Sequence, residues 1–303
     1  MSIAVQVSAR RQRRTWPAIR GWLFIGPVVL GTLIFNVLPL IPTIYASFTT
    51  WNGLGAPQWV GFANYQRAFS GQDAVLLVGL KNTILFTIGY VPFAIAVGLA
   101  LALLANERLR GIIAFRALFF LPVITSVVAV GMVWRWIFNS PFGVANWGLA
   151  QVGVAGPRWL GDPTWAMIAV IIVSVWQVMG YNMVILLAGL QGVPQELLDA
   201  ASIDGAGRLR RFWHVTIPLL TPTIFFLSII AVINSFQVFG LIYVMTGGGP
   251  GTSTTVYVYQ IWKEGFQLRN MGYAAALSWL LFMVIMVVTW VQWRMAKRWV
   301  HYQ

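Results

Sequence analysis

Six stretches of this chain, residues 22–46, 75–104, 117–138, 165–190, 223–245 and 271–293, hold two charged side chains between them, Lys81 and Arg135. Each is 22 residues or longer. About 20 apolar residues wound as an α-helix cross the ~30 Å hydrocarbon core of a bilayer. Only a helix or a closed barrel satisfies its own backbone hydrogen bonds there. The rest of the composition agrees. The chain has 303 residues, 59% hydrophobic and 9% charged, with a mean hydropathy of +0.76, against about 25% charged for a soluble domain. The expected fold class is all-α and integral to the membrane, with six transmembrane helices.

Charge sets the orientation. The segments 10–20, 108–116, 208–211 and 294–298 hold fourteen Lys and Arg residues, and the other side of the six spans holds six. The positive-inside rule places both termini in the cytoplasm. The net charge of +13 is read as topology and contact with anionic lipid, not as a nucleic-acid surface. The chain reads as one membrane domain: a basic cytoplasmic segment 1–21, a six-helix region 22–294 and a cytoplasmic tail 295–303. The first apolar run is too long for a signal-peptide core and is expected to be retained as a helix.

Several chemistries find no support. There is no cysteine, and His214 and His301 are far apart, so no metal-ligand spacing exists. None of Lys81, Lys263 and Lys297 follows a phosphate-binding glycine pattern, so no nucleotide site is expected. Gly247–Gly251, reading GGGPG, lacks the lysine and is expected to be a flexible turn on the outer side. The seven acids all fall in loops or at span edges. An ion-coupled carrier, the alternative of a different class, would place one mid-membrane. A plain membrane anchor is disfavoured by prolines within or beside the spans, among them Pro39, Pro92 and Pro122, which kink helices. Uncharged polar residues do occur within spans: Gln177, Tyr181 and Asn182 in the fourth, and Asn234, Ser235 and Gln237 in the fifth. They serve either helix–helix hydrogen bonding or a solute path.

One polar break stands out between the fourth and fifth spans, at about 191–222. Pro194 suits the first turn of a short helix, and Glu196 and Asp199 favour its N-terminal half. Leu197, Leu198 and Ala201 form a short apolar stripe. Gly205 is a helix stop expected at φ > 0. A helix–Gly–helix elbow of this kind docks on another protein or lies in the headgroup layer.

This elbow resembles the cytoplasmic loop of binding-protein-dependent ABC importer permeases, whose pattern is E-A-A-x3-G-x9-I-x-L-P. Here Asp199, Ala200 and Ala201 are followed at the same spacing by Gly205, Val215, Ile217 and Pro218. WVGFANY (59–65), LKNT (80–83), RALFFLPVITSVVAVGMVWRWIF (116–138), LLAGLQGVPQEL (186–197), TGGGPGTST (246–254) and RWVHY (298–302) resemble the carbohydrate and glycerol-phosphate branch. The likeness is greatest to its first permease subunit, as in the maltose and glycerol-3-phosphate importers. The resemblance implies a type I importer permease fold in a prokaryotic cytoplasmic membrane. It implies a second homologous permease, two copies of an ABC ATPase and an extracytoplasmic solute-binding protein as partners. The chain itself would be no enzyme and bind no cofactor; ATP and Mg would be used by the ATPase. The loop, with Glu196, Asp199, Ala200, Ala201, Asp204, Gly205 and Pro218, would couple that ATPase to the membrane helices. The implied cargo is a sugar, polyol or glycerol-phosphate-type solute, the alternative being another small solute.

Overall fold

The computed structural model describes residues 16–71, 73–107 and 110–300. The basic residues before 16, Arg108 and the last three residues, His301 included, lie outside that description. Among the described residues five helices are long and apolar enough to cross a membrane, and a strongly bent pair supplies a sixth crossing if counted as one.

The first span is α1 (Trp16–Thr32), a π-helical turn at Leu33–Val37 and α2 (Leu40–Ser47). A two-residue ladder, β1 (Thr49–Thr50) with β2 (Gln58–Trp59), is the one departure from an all-α chain among the described residues. Then come α3 (Ala63–Phe69), α4 (Ala74–Asn106), the bent pair α5 (Ile112–Ile124) and α6 (Val127–Ile137), α7 (Val144–Gln151) and α8 (Pro163–Gln191). The elbow is α9 (Gln195–Ile203). It leads through α10 (Arg208–Arg211) and a π-helical turn into α11 (Ile217–Phe236). The outer end and last span are α12 (Gly240–Met245), α13 (Tyr257–Trp262) and α14 (Met271–Trp299).

The long helices begin where the sequence supplies caps. Asp73 accepts from the Leu76 N–H at 3.0 Å at the start of α4. Asp162 accepts from Thr164 and Trp165 at the start of α8, with Pro163 in the first turn. Each carboxylate satisfies orphan backbone donors.

The α4–α8 pair is the spine of the molecule. Gly98 lets the helices touch: a Cβ there would lie 2.5 Å from Asn182 Cβ. Asn182 uses this closeness to donate to the Ala94 carbonyl at 2.9 Å. Around the spine the core has three parts. One holds Phe86, Val130, Val170 and Ile242. A second holds Val232, Phe236, Tyr273 and Leu277. The third, toward the elbow, holds Met183, Leu186 and Leu220. The first span stands apart, since no residue from Gly21 to Tyr45 is buried. Only its second half, α2, meets the bundle, against α14, and the apolar α1 is stable only in lipid or against another membrane helix.

Two expected spans are corrected. The stretch 117–138 is not one straight helix: α5 and α6 meet at 100°. Thr125 and Ser126 are extended, with ψ of 138° and 132°. They follow Pro122, which cannot donate into the helix ladder. The stretch 223–245 is also broken. Its helix begins earlier, at Arg208, and ends at Phe236. After a turn at Gln237–Phe239 the chain restarts as α12, which packs against α6. The two broken spans thus brace each other.

Candidate functional site

The α5–α6 bend and the α11–α12 break open a cavity of about 440 Å³ against the spine. Its walls come from α4 (Phe86, Tyr90), the bend (Val123, Val127), α8 (Ser174, Gln177, Val178, Tyr181), α11 (Ile230, Asn234) and the turn into α12 (Val238–Leu241). Every wall element but the spine is one that a proline or a break has interrupted. Irregular backbone at membrane depth is tolerated where it lines a cavity.

The six polar residues singled out from the sequence separate into two groups. Gln177, Tyr181 and Asn234 line the cavity. Asn182 does not: it is buried at the α4–α8 crossing. Ser235 is fully buried, bonded to Val232 O at 2.7 Å and to Thr87 Oγ1 at 2.9 Å. Both are engaged between helices and lie outside the cavity wall. Gln237 sits exposed in the turn that ends α11, outside the cavity wall. The reason is periodicity: 182 and 235 fall one residue past 181 and 234, about 100° around the helix. The sequence reading missed Phe86 and Tyr90, stacked at 5.4 Å and 11°, and Phe239. The i, i+4 spacing of the first two was visible, but nothing separated it from ordinary core.

At the other end of the bundle, α9 contains no buried residue. Pro194 is its N-cap, not its first turn. Gln195 Nε2 donates to Asp199 at 3.0 Å on its surface. Leu197 and Ile203 are 46% and 87% exposed, an apolar face that no described residue buries. The helix stops as its glycine dictates. Gly205 has φ +79°, its N–H donates to Ser202 O at 3.1 Å, and the Ala206 N–H reaches back to Ala201 O at 2.9 Å. That pair of bonds is a Schellman stop. Asp204 is the C-cap, and Pro218 lies in the first turn of α11. Alpha-9 thus joins the ends of α8 and the α10–α11 helix, which are the two elements that carry Gln177, Tyr181 and Asn234.

The outer glycine loop is not the flexible turn expected of it. Asn82 donates to Thr252 O and Thr255 O, both at 2.9 Å. Thr254 donates to Gly249 O, Thr255 to Gly248 O, and Tyr259 to Gly247 O. Thr83 accepts from the Tyr257 N–H at 2.9 Å. The LKNT stretch of α4 is therefore the loop's anchor. Beside it Glu264, 3% exposed, lies 3.6 Å from Arg67 and accepts from Asn270 at 2.9 Å. This buried acid sits at the entrance of α14, not at mid-span, and has its cation.

Comparisons with known proteins agree with this arrangement. Residues 91–301 match the family model for binding-protein-dependent transport system inner membrane components. The chain is 36% identical to a probable ABC transporter permease protein, YesP, of Bacillus subtilis, over 94% of this chain and 93% of that one. It is 34% identical to the sn-glycerol-3-phosphate transport system permease protein UgpA of Agrobacterium fabrum, over 93% and 96% of the two chains. Among solved structures it is similar to a chain of a bacterial alginate ABC transporter crystallised with an alginate pentasaccharide-bound periplasmic protein. That match has a TM-score of 0.81 and 26% identity over 94% and 98% of the chains. The chain therefore belongs to the binding-protein-dependent transport system inner membrane components and is a permease of the ABC sugar and glycerol-phosphate importer family.

Proposed function

We propose that this permease passes a sugar, polyol or glycerol-phosphate-type solute through the 440 Å³ cavity by ATP-driven alternating access. It works with a second homologous permease, two ABC ATPase subunits that use ATP and Mg, and an extracytoplasmic solute-binding protein. The observation that carries the reading is the position of α9. It is bare, and it ties together the two helices whose other parts line the cavity. From Arg208 to Phe236 the second of these is one helical rod of 29 residues, roughly 43 Å long at 1.5 Å per residue. A shift of α9 under an ATPase would be carried along this helix toward Asn234, bending where the π-helical turn Phe212–Thr216 and Pro222 interrupt it. Closing and opening the cavity then follow ATP binding and hydrolysis as a shift between two packings.

The exposed α1 supports a second membrane subunit, since none of its described side chains is buried and it needs a helical neighbour or lipid. The test is uptake by the complete importer in proteoliposomes. Uptake is expected to need ATP inside the compartment that receives the solute, and to be indifferent to a protonophore. Uptake that continues without ATP and collapses with the protonophore would replace this mechanism with ion-coupled transport.

A further inference from the structure

From the cavity wall we infer that the part of the solute path built by this chain holds an uncharged, polyhydroxylated solute, of the neutral glycoside or polyol class, and not a phosphate ester or a uronate. The inference rests on the reading of the cavity as the solute path, and it narrows that reading.

Three observations carry it. The first is charge. No Lys, Arg, His, Asp or Glu lines the cavity. A phosphate or carboxylate drawn from water into such a wall loses its hydration, and only a matched cation returns that loss. Arginine is the residue that recognises those groups by paired hydrogen bonds; the described arginines all lie outside this wall.

The second is the state of the polar groups. Asn82, Asn182 and Ser235 are engaged within the chain, with the glycine loop, Ala94 and Thr87 in turn, and Ser174 of the cavity wall donates to Val170 O at 2.8 Å. The other polar side chains of the wall, the amides of Gln177 and Asn234 and the hydroxyls of Tyr90 and Tyr181, have no hydrogen-bond partner among the described residues. An amide offers donors and an acceptor together, and a phenol offers one of each. That mixture matches solute hydroxyls, which also do both. An ionised phosphate or carboxylate group only accepts, and would leave the acceptors it faces here unmatched.

The third is shape and surface. Phe86 and Tyr90, stacked on each other and nearly buried, form the aromatic floor of the cavity, and Phe239 stands on the turn into α12. Flat apolar faces beside a few placed polar groups suit a sugar ring, whose C–H faces are apolar and whose rim is hydroxylated.

The experiment uses the complete importer with its own binding protein in proteoliposomes. One panel of labelled probes is neutral: glycerol, trehalose, maltose and a neutral trisaccharide. The other is anionic: glycerol 3-phosphate, a hexose phosphate and a disaccharide uronate. The expected result is uptake and ATPase stimulation by members of the neutral panel alone. Gln177→Leu and Asn234→Leu are each expected to lower that uptake about five- to tenfold, the worth of one lost hydrogen bond. Asn234→Ser, which replaces the amide by a hydroxyl that both donates and accepts, should retain more uptake than Asn234→Leu, a difference that lost packing alone would not produce. Uptake of the anionic panel overturns the inference while leaving the importer reading intact. ATP-dependent uptake of neutral probes that is untouched by both leucine variants also overturns it. Failure of every probe with a competent ATPase overturns the proposed function itself, and the inference with it.

Discussion

The elbow at 195–211 and the outer loop at 246–256 are both short, glycine-punctuated breaks between apolar helices, yet they are held in opposite ways. The elbow is held locally. Its bonds run from Gly205 and Ala206 back to Ser202 and Ala201, and its helix buries nothing. The outer loop is held by residues far away in the chain: Asn82 reaches Thr252 and Thr255 across more than 165 positions. A segment that shapes itself but packs on nothing is ready for a partner. A segment stitched into the bundle moves only when the bundle moves. Under the proposed function, the first would receive the ATPase's push and the second would follow the bundle.

The contrast can be broken first by side. The two regions lie at opposite ends of α11, so single cysteines at Arg210 and Gly249 should react with an impermeant maleimide on intact cells at 249 alone. Labelling at 210 from outside would invert the assignment.

Next in size is Gly205→Val. A β-branched residue at φ +79° costs about 1–2 kcal/mol and forces the stop open. The variant should insert and assemble but lose uptake and the ATPase stimulation produced by loaded binding protein. Uptake equal to the parent would show that α9 couples nothing.

Asn82→Leu attacks the other region. It leaves two loop carbonyls without their donor, at about 2–3 kcal/mol. The expected readings are a lower melting temperature in detergent and new protease cleavage within 246–256. An unchanged melt with an uncut loop would mean that local bonds suffice there too.

Arg67→Gln is smaller. It strips the cation from Glu264 and Asp73, but Arg67's side chain is 45% exposed, so about 1 kcal/mol of destabilisation is expected after solvent screening. The double variant with Glu264→Gln should recover most of it in a thermal melt. No recovery would assign the loss to the cation–π contact of Arg67 with Tyr273 at 3.9 Å.

Gly207→Ala marks the lower limit. Its φ is −65° and nothing lies within 4 Å of a Cβ there, so stability should stay within about 0.5 kcal/mol and uptake near the parent. A large loss would show that the elbow needs freedom beyond its one left-handed residue.

What was legible in the chain follows from how far each interaction reaches. Hydrophobic run length alone determined a helical membrane protein, because lipid leaves the backbone no other partner. The stop at Gly205 was legible too, since a left-handed helix end depends on a few neighbouring residues. The 100° bend after Pro122 was only half legible: proline marks a weak point, but packing of α12 on α6 fixes the angle. The choice among the polar span residues was not legible at all. Tyr181 and Asn182, or Asn234 and Ser235, are adjacent in sequence, and only the placement of α4 beside α8 and α11 decided which of each pair meets the cavity and which meets a helix. The same holds for GGGPG, whose order comes from Asn82 and Thr83 on a distant helix. Composition and local pattern determined the solvent, the spans and the elbow; three-dimensional packing decided the cavity, because its wall joins residues from five elements that no sequence period connects.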